Sequence, residues 1–385
     1  MGINKGLLRK LGLSAVAAAL IMTAAVCTAL RISRAGILDS LDLLAAEAVM
    51  PQGNHEYYRP ADNEPEVSKS QSPKKEVNET EKSESSIEAE TSESSALVTQ
   101  NEFKSMIPTA EELAAYEKEH EGEETYPVIE FTSTQGNIAY GGVQVKNSSS
   151  ADINIKEELE GKLGFELTET NQPQVLIYHT HTSESFLLYD TGYYYESFYP
   201  RSTDPTQNVC AVGEEITKQL NAAGIVTIHD TTSHDYPSYS GSYYRSYDTV
   251  SEYLKKYPSI KVVLDIHRDG IGSETQRSKP VFTVNGKKAA QMMILAGYNY
   301  DGSDEFKDWE YNLRFALQIQ KTAQEKYPDM VRPLNFGDFM YNMNINTGSL
   351  LIEIGADSNT LEEVRYTGYL LGEVLTDVLR KNTKG

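Results

Sequence analysis

Cysteine is almost missing from this chain of 385 residues: there are two, Cys27 and Cys210, and the first lies inside an apolar run. Such a pair provides no disulfide framework. Positive charge is in deficit, with 35 Lys and Arg against 56 Asp and Glu and a formal net charge of −21. A surface of that sign repels phosphates, so nucleic acid is not an expected partner. Between residues 60 and 109 aromatic residues are nearly absent, and a stretch that cannot bury apolar surface cannot offset the entropy of its chain. A Gly-rich phosphate loop and a DFG motif are both missing, so the tripeptide His267-Arg268-Asp269 is no mark of a protein kinase.

What is present falls into four zones. Residues 11–30 carry no charge and are flanked by Lys5, Arg9 and Lys10 on one side and by Arg31 and Arg34 on the other. At about 1.5 Å per residue they span a hydrocarbon core of about 30 Å, so residues 1–35 are expected to form an uncleaved transmembrane anchor. A cleaved signal peptide is the competing reading. Residues 36–59 include ILDSLDLLAAEAV, whose apolar spacing predicts an amphipathic juxtamembrane helix. Residues 60–124 are expected to be a disordered, extended linker, for 18 Asp and Glu face 6 Lys and Arg between Ala61 and Thr125. From 125 to 385 strand-like runs alternate with helical patterns. Strands are expected at 127–131, 142–146, 175–178, 225–228, 260–266, 281–284, 292–297 and 349–354, and helices at 209–223, 244–256, 310–326 and 360–379. Together they make one α/β domain, a mixed sheet with helices on both faces.

Three of these strands end in side chains suited to chemistry. The run VLIYHTHTSESF carries His179 and His181 with Glu184 just beyond, VVLDIHRDG carries His267, and LLIEIG carries Glu353. In open α/β sheets the carboxyl ends of strands face the binding crevice. Two imidazoles and a carboxylate are the usual protein ligands of a hydrolytic zinc, which keeps a fourth position open, and a carboxylate off the metal serves as base. His181-x-x-Glu184 therefore reads as half of a zinc site, His267 as its complement and Glu353 as the base. A glutamate in an apolar strand is costly to bury without a partner or a task. The competing reading pairs Glu353 with Arg365 or Arg332.

The segments VLIYHTHTSESF, TTSHDYPSYSGSYYRS, VVLDIHRDG and LLIEIGADSNT together resemble the stage II sporulation protein P family of endospore-forming bacteria. The resemblance implies a membrane-anchored peptidoglycan hydrolase, an N-acetylmuramoyl-L-alanine amidase with endopeptidase activity. It also implies work with the stage II sporulation proteins D and M in septal wall degradation and engulfment, from a catalytic domain outside the cytoplasm. A wider similarity is to zinc amidases of bacterial cell walls. Their Asp-Pro-Gly-His, Ser-x-His and Glu-x-Gly-Phe-x-Ser-Asn motifs overlay residues 178–181, 265–267 and 353–359, which implies their fold, Zn2+ as cofactor, His181 rather than His179 as ligand, and Glu353 as the catalytic residue. For the third ligand the amidase pattern points to the region of Asp204 or to Glu214, whereas His181-x-x-Glu184 is similar to the zinc carboxypeptidase pattern. Glu184 is the ligand adopted. Tyrosines clustered at 189–199 and 236–247 are suited to stacking on sugars. His234 is a candidate for binding substrate or an oxyanion, and Arg268 for pairing with a stem-peptide carboxylate. The alternatives are a zinc peptidase restricted to stem-peptide bonds and a wall-binding scaffold without catalysis.

Overall fold

The computed structural model describes residues 102–384. The expected anchor at 1–35, the juxtamembrane segment at 36–59 and the linker from 60 to 101 lie outside the described residues. Among the described residues no helix is long and apolar enough to cross a membrane.

In chain order the strands are β1 (Thr125–Phe131), β2 (Ile138–Tyr140), β3 (Val143–Asn147), β4 (Leu167–Thr168), β5 (Val175–Tyr178), β6 (Tyr193–Tyr195), β7 (Thr227–His229), β8 (Val262–Asp269), β9 (Gly272–Ser273), β10 (Gln276–Val284), β11 (Lys287–Ala290), β12 (Met292–Gly297), β13 (Leu334–Gly337), β14 (Ser349–Ala356) and β15 (Thr383–Lys384). The helices are α1 (Ala110–Glu119), α2 (Ile155–Glu160), α3 (Val209–Ala222), α4 (Ser242–Lys256), α5 (Trp309–Lys326) and α6 (Leu361–Lys381).

Eight strands form the main sheet in the order β2-β3-β13-β12-β14-β8-β5-β7. Strands β14, β8, β5 and β7 are parallel, while β12 runs antiparallel to β14. The sheet is therefore mixed, as expected. Near-continuous apolar runs in β5 and β8 have their cause in burial on both faces. Val175, Ile177, Val262, Leu264, Ile266, Ile352 and Ile354 join a core with Val209, Val212, Ile216 and Leu220 of α3 and with residues of α5 and α6. The intervening Leu176, Tyr178 and Val263 join a second core with Val250 of α4. Spacings of three and four along α3 give it the apolar stripe that this packing needs. Gly368 and Gly372 let α6 approach α3: a Cβ there would stand 2.8 Å from the Val212 carbonyl oxygen and 2.5 Å from Gln219 Cβ.

A second sheet, β11-β10-β1-β6 with β9 on β10, is not evident from local sequence. Its joints are remote in the chain, since β1 pairs in parallel with β10 and antiparallel with β6. Residues 102–124 also depart from the expected linker. Thr109 and Glu112 form a capping box that starts α1, Tyr116 stacks on Tyr189 with ring centroids 4.5 Å apart, and Phe103 lies 4.9 Å from the Tyr366 ring. Aromatic contacts thus order a segment whose acidic composition predicts none.

Lys279 of β10 is buried and gives the second sheet its polar anchor. Its ammonium lies 2.7 Å from Asp190, 2.9 Å from Glu363 and 3.3 Å from Glu130, and Lys288 adds contacts of 2.6 Å to Glu130 and 3.0 Å to Asp190. Removing one partner of a buried ion pair strands the other. Lys279→Met is therefore expected to lower the unfolding free energy by about 3 kcal/mol or more, and Lys288→Met by less than about 1 kcal/mol, as read from denaturant midpoints at constant m-value.

Candidate active site

Strand alternation sorts the side chains at the carboxyl end of the sheet. Val175 and Ile177 point to the α3 side, and period two carries His179 to that side too. There the His179 Nδ1 donates to the Ile266 carbonyl at 2.8 Å, and Nε2 lies 2.9 Å from His229 Nε2. Gly213 of α3 leaves room for both rings, since a Cβ would stand 2.6 Å from His229 Nε2. Burial lowers the His179 pKa to about 3. His179 is a structural neighbour of the site.

The opposite parity applies to Asp265 and His267, which follow Val263 onto the α4 side, and to Glu353, which lies between Ile352 and Ile354. In the sheet register Glu353 is directly opposite His267, and Tyr178 opposite Asp265. His267 stands between two carboxylates. Its Nε2 lies 2.9 Å from Asp265 Oδ1 and its Nδ1 3.5 Å from Glu184 Oε2. The first contact is close but badly aligned, so Nε2 has no directed hydrogen bond. Asp265 is held in turn by the Thr180 N–H at 2.8 Å and the Thr180 hydroxyl at 2.6 Å. Burial opposes a charge on His267, yet Asp265 and Glu184 lift its pKa well above the ordinary imidazole value. Burial would likewise raise Glu184, but His267 and Arg268 hold its carboxyl well below the usual range. The surroundings of His267 favour positive charge.

His181 completes the cluster from the turn after β5. Its ring is perpendicular to that of His267, with centroids 5.3 Å apart, and lies flat against Tyr239 at 4.5 Å. Tyr239 Oη is 3.1 Å from His181 Nε2, and Ser242 Oγ is 3.4 Å from Nδ1. Burial lowers the His181 pKa to about 4, which keeps the imidazole neutral, the form that binds metals. Glu353 has a buried Oε2 without a hydrogen-bond partner, and burial pushes its pKa up to about 8. Neither arginine of the competing reading pairs with it: Arg332 bonds Asp269 at 2.7 Å, and Arg365 bonds Glu215.

Two imidazoles and a carboxylate match zinc chemistry. His267 Nδ1 facing Glu184 Oε2 at 3.5 Å, with the His181 ring 5.3 Å from that of His267, fits a cation placed among His181, Glu184 and His267. Glu184 and His267 already converge, whereas His181 is drawn toward Tyr239. Among the described residues only Glu130, Asp190 and Glu363 bring three such donor atoms within 4.8 Å of one another. That trio is filled by the ammonium groups of Lys279 and Lys288 and is not a better metal site. The other third-ligand candidates are elsewhere. Asp204 caps an exposed turn through Thr206, and Glu214 pairs with His229 at 3.4 Å and Lys218 at 3.5 Å.

Two expected substrate contacts are corrected. His234 is buried, its Nδ1 2.8 Å from the His179 carbonyl and its Nε2 3.0 Å from Thr249 Oγ1, so no ring nitrogen is left for substrate. Arg268 donates from Nε to the Ser185 carbonyl, from Nη1 to that of Asp269 and from Nη2 to that of Pro200, at 2.8, 3.0 and 2.8 Å. Its guanidinium ties loops together. Sequence reasoning did not single out Asp265, which bears on His267, Tyr239, which stacks on His181, or Arg201, whose guanidinium carbon lies 4.9 Å from the Tyr239 ring centroid. The spacing Asp265-x-His267 on a strand, which puts both side chains on one face, was the available signal for the first. His234→Ala is expected to cost about 2–4 kcal/mol of stability, because it leaves a cavity and an unpaired carbonyl; chemical denaturation measures it.

A sequence profile described as stage II sporulation protein P matches residues 35–376. The chain is 27% identical over 228 residues to stage II sporulation protein P of Bacillus subtilis (strain 168), a match covering 55% of this chain and 52%, about half, of that relative's length. Among solved structures, the CwlD amidase from Clostridioides difficile in complex with the GerS lipoprotein is similar at 12% identity and TM-score 0.34, covering 54% of this chain and 98% of that one. N-acetylmuramoyl-L-alanine amidase AmiC2 of Nostoc punctiforme is similar at 12% identity and TM-score 0.33, covering 55% and 97%.

Proposed function

The chain belongs to the stage II sporulation protein P family, and from that premise we propose that it is a zinc-dependent peptidoglycan hydrolase. The bond cut is the amide between the lactyl group of muramic acid and the L-alanine of the stem peptide. The observation that carries this reading is Glu353: a carboxyl with a buried, unpartnered oxygen, in register beside His267, which itself faces Glu184. A polar group so placed has a cost without a compensating bond, and base catalysis is the task that explains it.

His181, Glu184 and His267 would hold the metal. Zinc there supplies Lewis-acid polarisation of water and of the scissile carbonyl. Asp265, 2.9 Å from His267 Nε2, orients that ring so that Nδ1 faces Glu184. In its ionised form, which a cation bound nearby would favour, Glu353 takes a proton from the attacking water through Oε2 and passes it to the nitrogen of the departing L-alanine, so that the lactyl group leaves as a carboxylate and the peptide as an amine. Tyr178 and the core under α4 close the floor of the site against solvent. The reading extends to endopeptidase activity, to a single-pass anchor at 1–35 that holds the catalytic domain outside the cytoplasm at the septal or engulfing membrane, and to stage II sporulation proteins D and M as partners; these rest on the family resemblance.

Glu353→Gln is expected to lower the hydrolysis rate of purified peptidoglycan about 10²–10⁴-fold with folding kept, and a fully active variant would remove Glu353 from the mechanism. Chelation should stop the reaction and added zinc restore it, while His181→Ala and His267→Ala should each abolish stoichiometric zinc in elemental analysis. Mass spectrometry of the products decides between amide and stem-peptide cleavage: free lactyl carboxylates support the amidase, and their absence favours a peptidase restricted to the stem.

A further inference from the structure

The correction at Arg268 leaves the site without the cation expected to meet a substrate carboxylate, yet a second arginine stands at its mouth. Arg201 forms a β-bridge with Glu184 in the backbone. Its guanidinium carbon lies 4.9 Å from the Tyr239 ring centroid, and that ring is stacked on His181 at 4.5 Å. One edge of the guanidinium is anchored, with Nη1 donating to Asp235 at 2.8 Å and to Ser183 Oγ at 3.0 Å. Asp235 is itself buried and fixed by the Ser183 N–H at 3.0 Å and hydroxyl at 2.6 Å, so the anchor is rigid.

The opposite edge differs. Among the described residues Nε and Nη2 of Arg201 have no hydrogen-bond partner, and the side chain is 27% exposed. Those two N–H groups make the parallel fork that binds a carboxylate with two hydrogen bonds. Arg268 has no such edge, because its Nε and Nη2 are both spent on carbonyls. Tyr239, 44% exposed, lies between the guanidinium and the His181 ring and offers its exposed edge to a bound peptide.

We propose that Arg201 is a specificity residue that receives a free carboxylate of the stem peptide through its Nε–Nη2 edge, with Tyr239 supporting the intervening residue. The inference rests on the peptidoglycan reading above. Extended chain advances about 3.4 Å per residue, so a carboxylate two residues beyond the cut bond lies roughly 7 Å from it; steps of 4.5 Å from His181 to Tyr239 and 4.9 Å from Tyr239 to the guanidinium carbon put the Arg201 fork within reach of that carboxylate. The peptide chemistry selected is a second stem residue with an ionised carboxyl, not its amide.

The test compares N-acetylmuramoyl-L-alanyl-D-isoglutamate with the isoglutamine compound, using the full-length, zinc-supplemented chain. Hydrolysis is followed in the wild type, and dissociation constants are taken by calorimetry in Glu353→Gln. The acid is expected to be preferred about five- to tenfold, chiefly in KM and Kd, as suits a partly exposed charge-assisted pair. Arg201→Met should bring the ratio to about 1. Arg201→Lys keeps an ammonium for Asp235 but has no fork, so it should fold like the wild type and still lose most of the preference. Lack of an acid preference in wild-type binding, or its persistence in folded Arg201→Lys and Arg201→Met, overturns the inference. Binding that prefers the acid while neither compound is cleaved leaves Arg201 in place and instead sinks the amidase reading.

Discussion

Strands β5, β8 and β14 lie side by side and parallel, with Tyr178 opposite Asp265 and Glu353 opposite His267, and this register decides where each charged side chain of the site goes. A strand has only two faces, and one residue of slip would exchange them. With Val262, Leu264 and Ile266 committed to the core under α3, Asp265 and His267 have no choice but the α4 side. The same holds for Glu353 between Ile352 and Ile354. Apolar packing on one face therefore positions the polar groups on the other, and the site depends on the core even where the two do not touch.

That arrangement concentrates buried charge. Asp265, Glu184 and His267 are buried together with Glu353 half-buried beside them, where each ion costs several kcal/mol unless it is matched. The matching is uneven. Asp265 and Glu184 bear on His267 and are balanced by it, while Thr180 and the Arg268 N–H supply hydrogen bonds to their oxygens. Glu353 Oε2 receives none, and burial pushes the pKa of this carboxyl up. An environment that pushes two carboxyls apart in acidity assigns them different work, one as a fixed anion and the other as a proton carrier. In the proposed mechanism Glu184 takes the first role and Glu353 the second.

Much of this was legible in the residues. Near-continuous apolar runs located β5, β8, β12 and β14, because burial on both faces leaves a plain pattern, and helical apolar spacing located α3 to α6. The choice of His181 over His179 needed a resemblance, although strand parity would have sent His179 to the α3 side. The second sheet was hidden because β1 and β10 are joined by 149 residues of sequence separation at Ile129 and Ser278, and no local pattern encodes such a pairing. Helix α1 was hidden by acidic composition, although Thr109 and Glu112 carried its start signal. His234 and Arg268 misled for a shared reason. A polar side chain beside a site looks functional until the backbone carbonyls that need donors are known, and those are set by the folded loops, not by neighbours in sequence.

The two arginines show why local sequence ranks them in the wrong order. Arg268 adjoins His267 and so follows it to the strand end, but alternation turns it to the other face, toward carbonyls of Ser185 and Pro200 in the loop that carries Glu184. Neutral acceptors consume its donors and leave a buried charge whose use is to hold that loop. Arg201 is 66 residues before His267 in the chain and has no motif around it, yet the Glu184 bridge brings it back to the same loop from the solvent side. Asp235 takes one edge of it and leaves the fork free. One arginine holds the loop that carries Glu184 from beneath and the other stands at its rim with one edge open, because strand alternation turns Arg268 toward loop carbonyls while the Glu184 bridge leaves Arg201 on the solvent side.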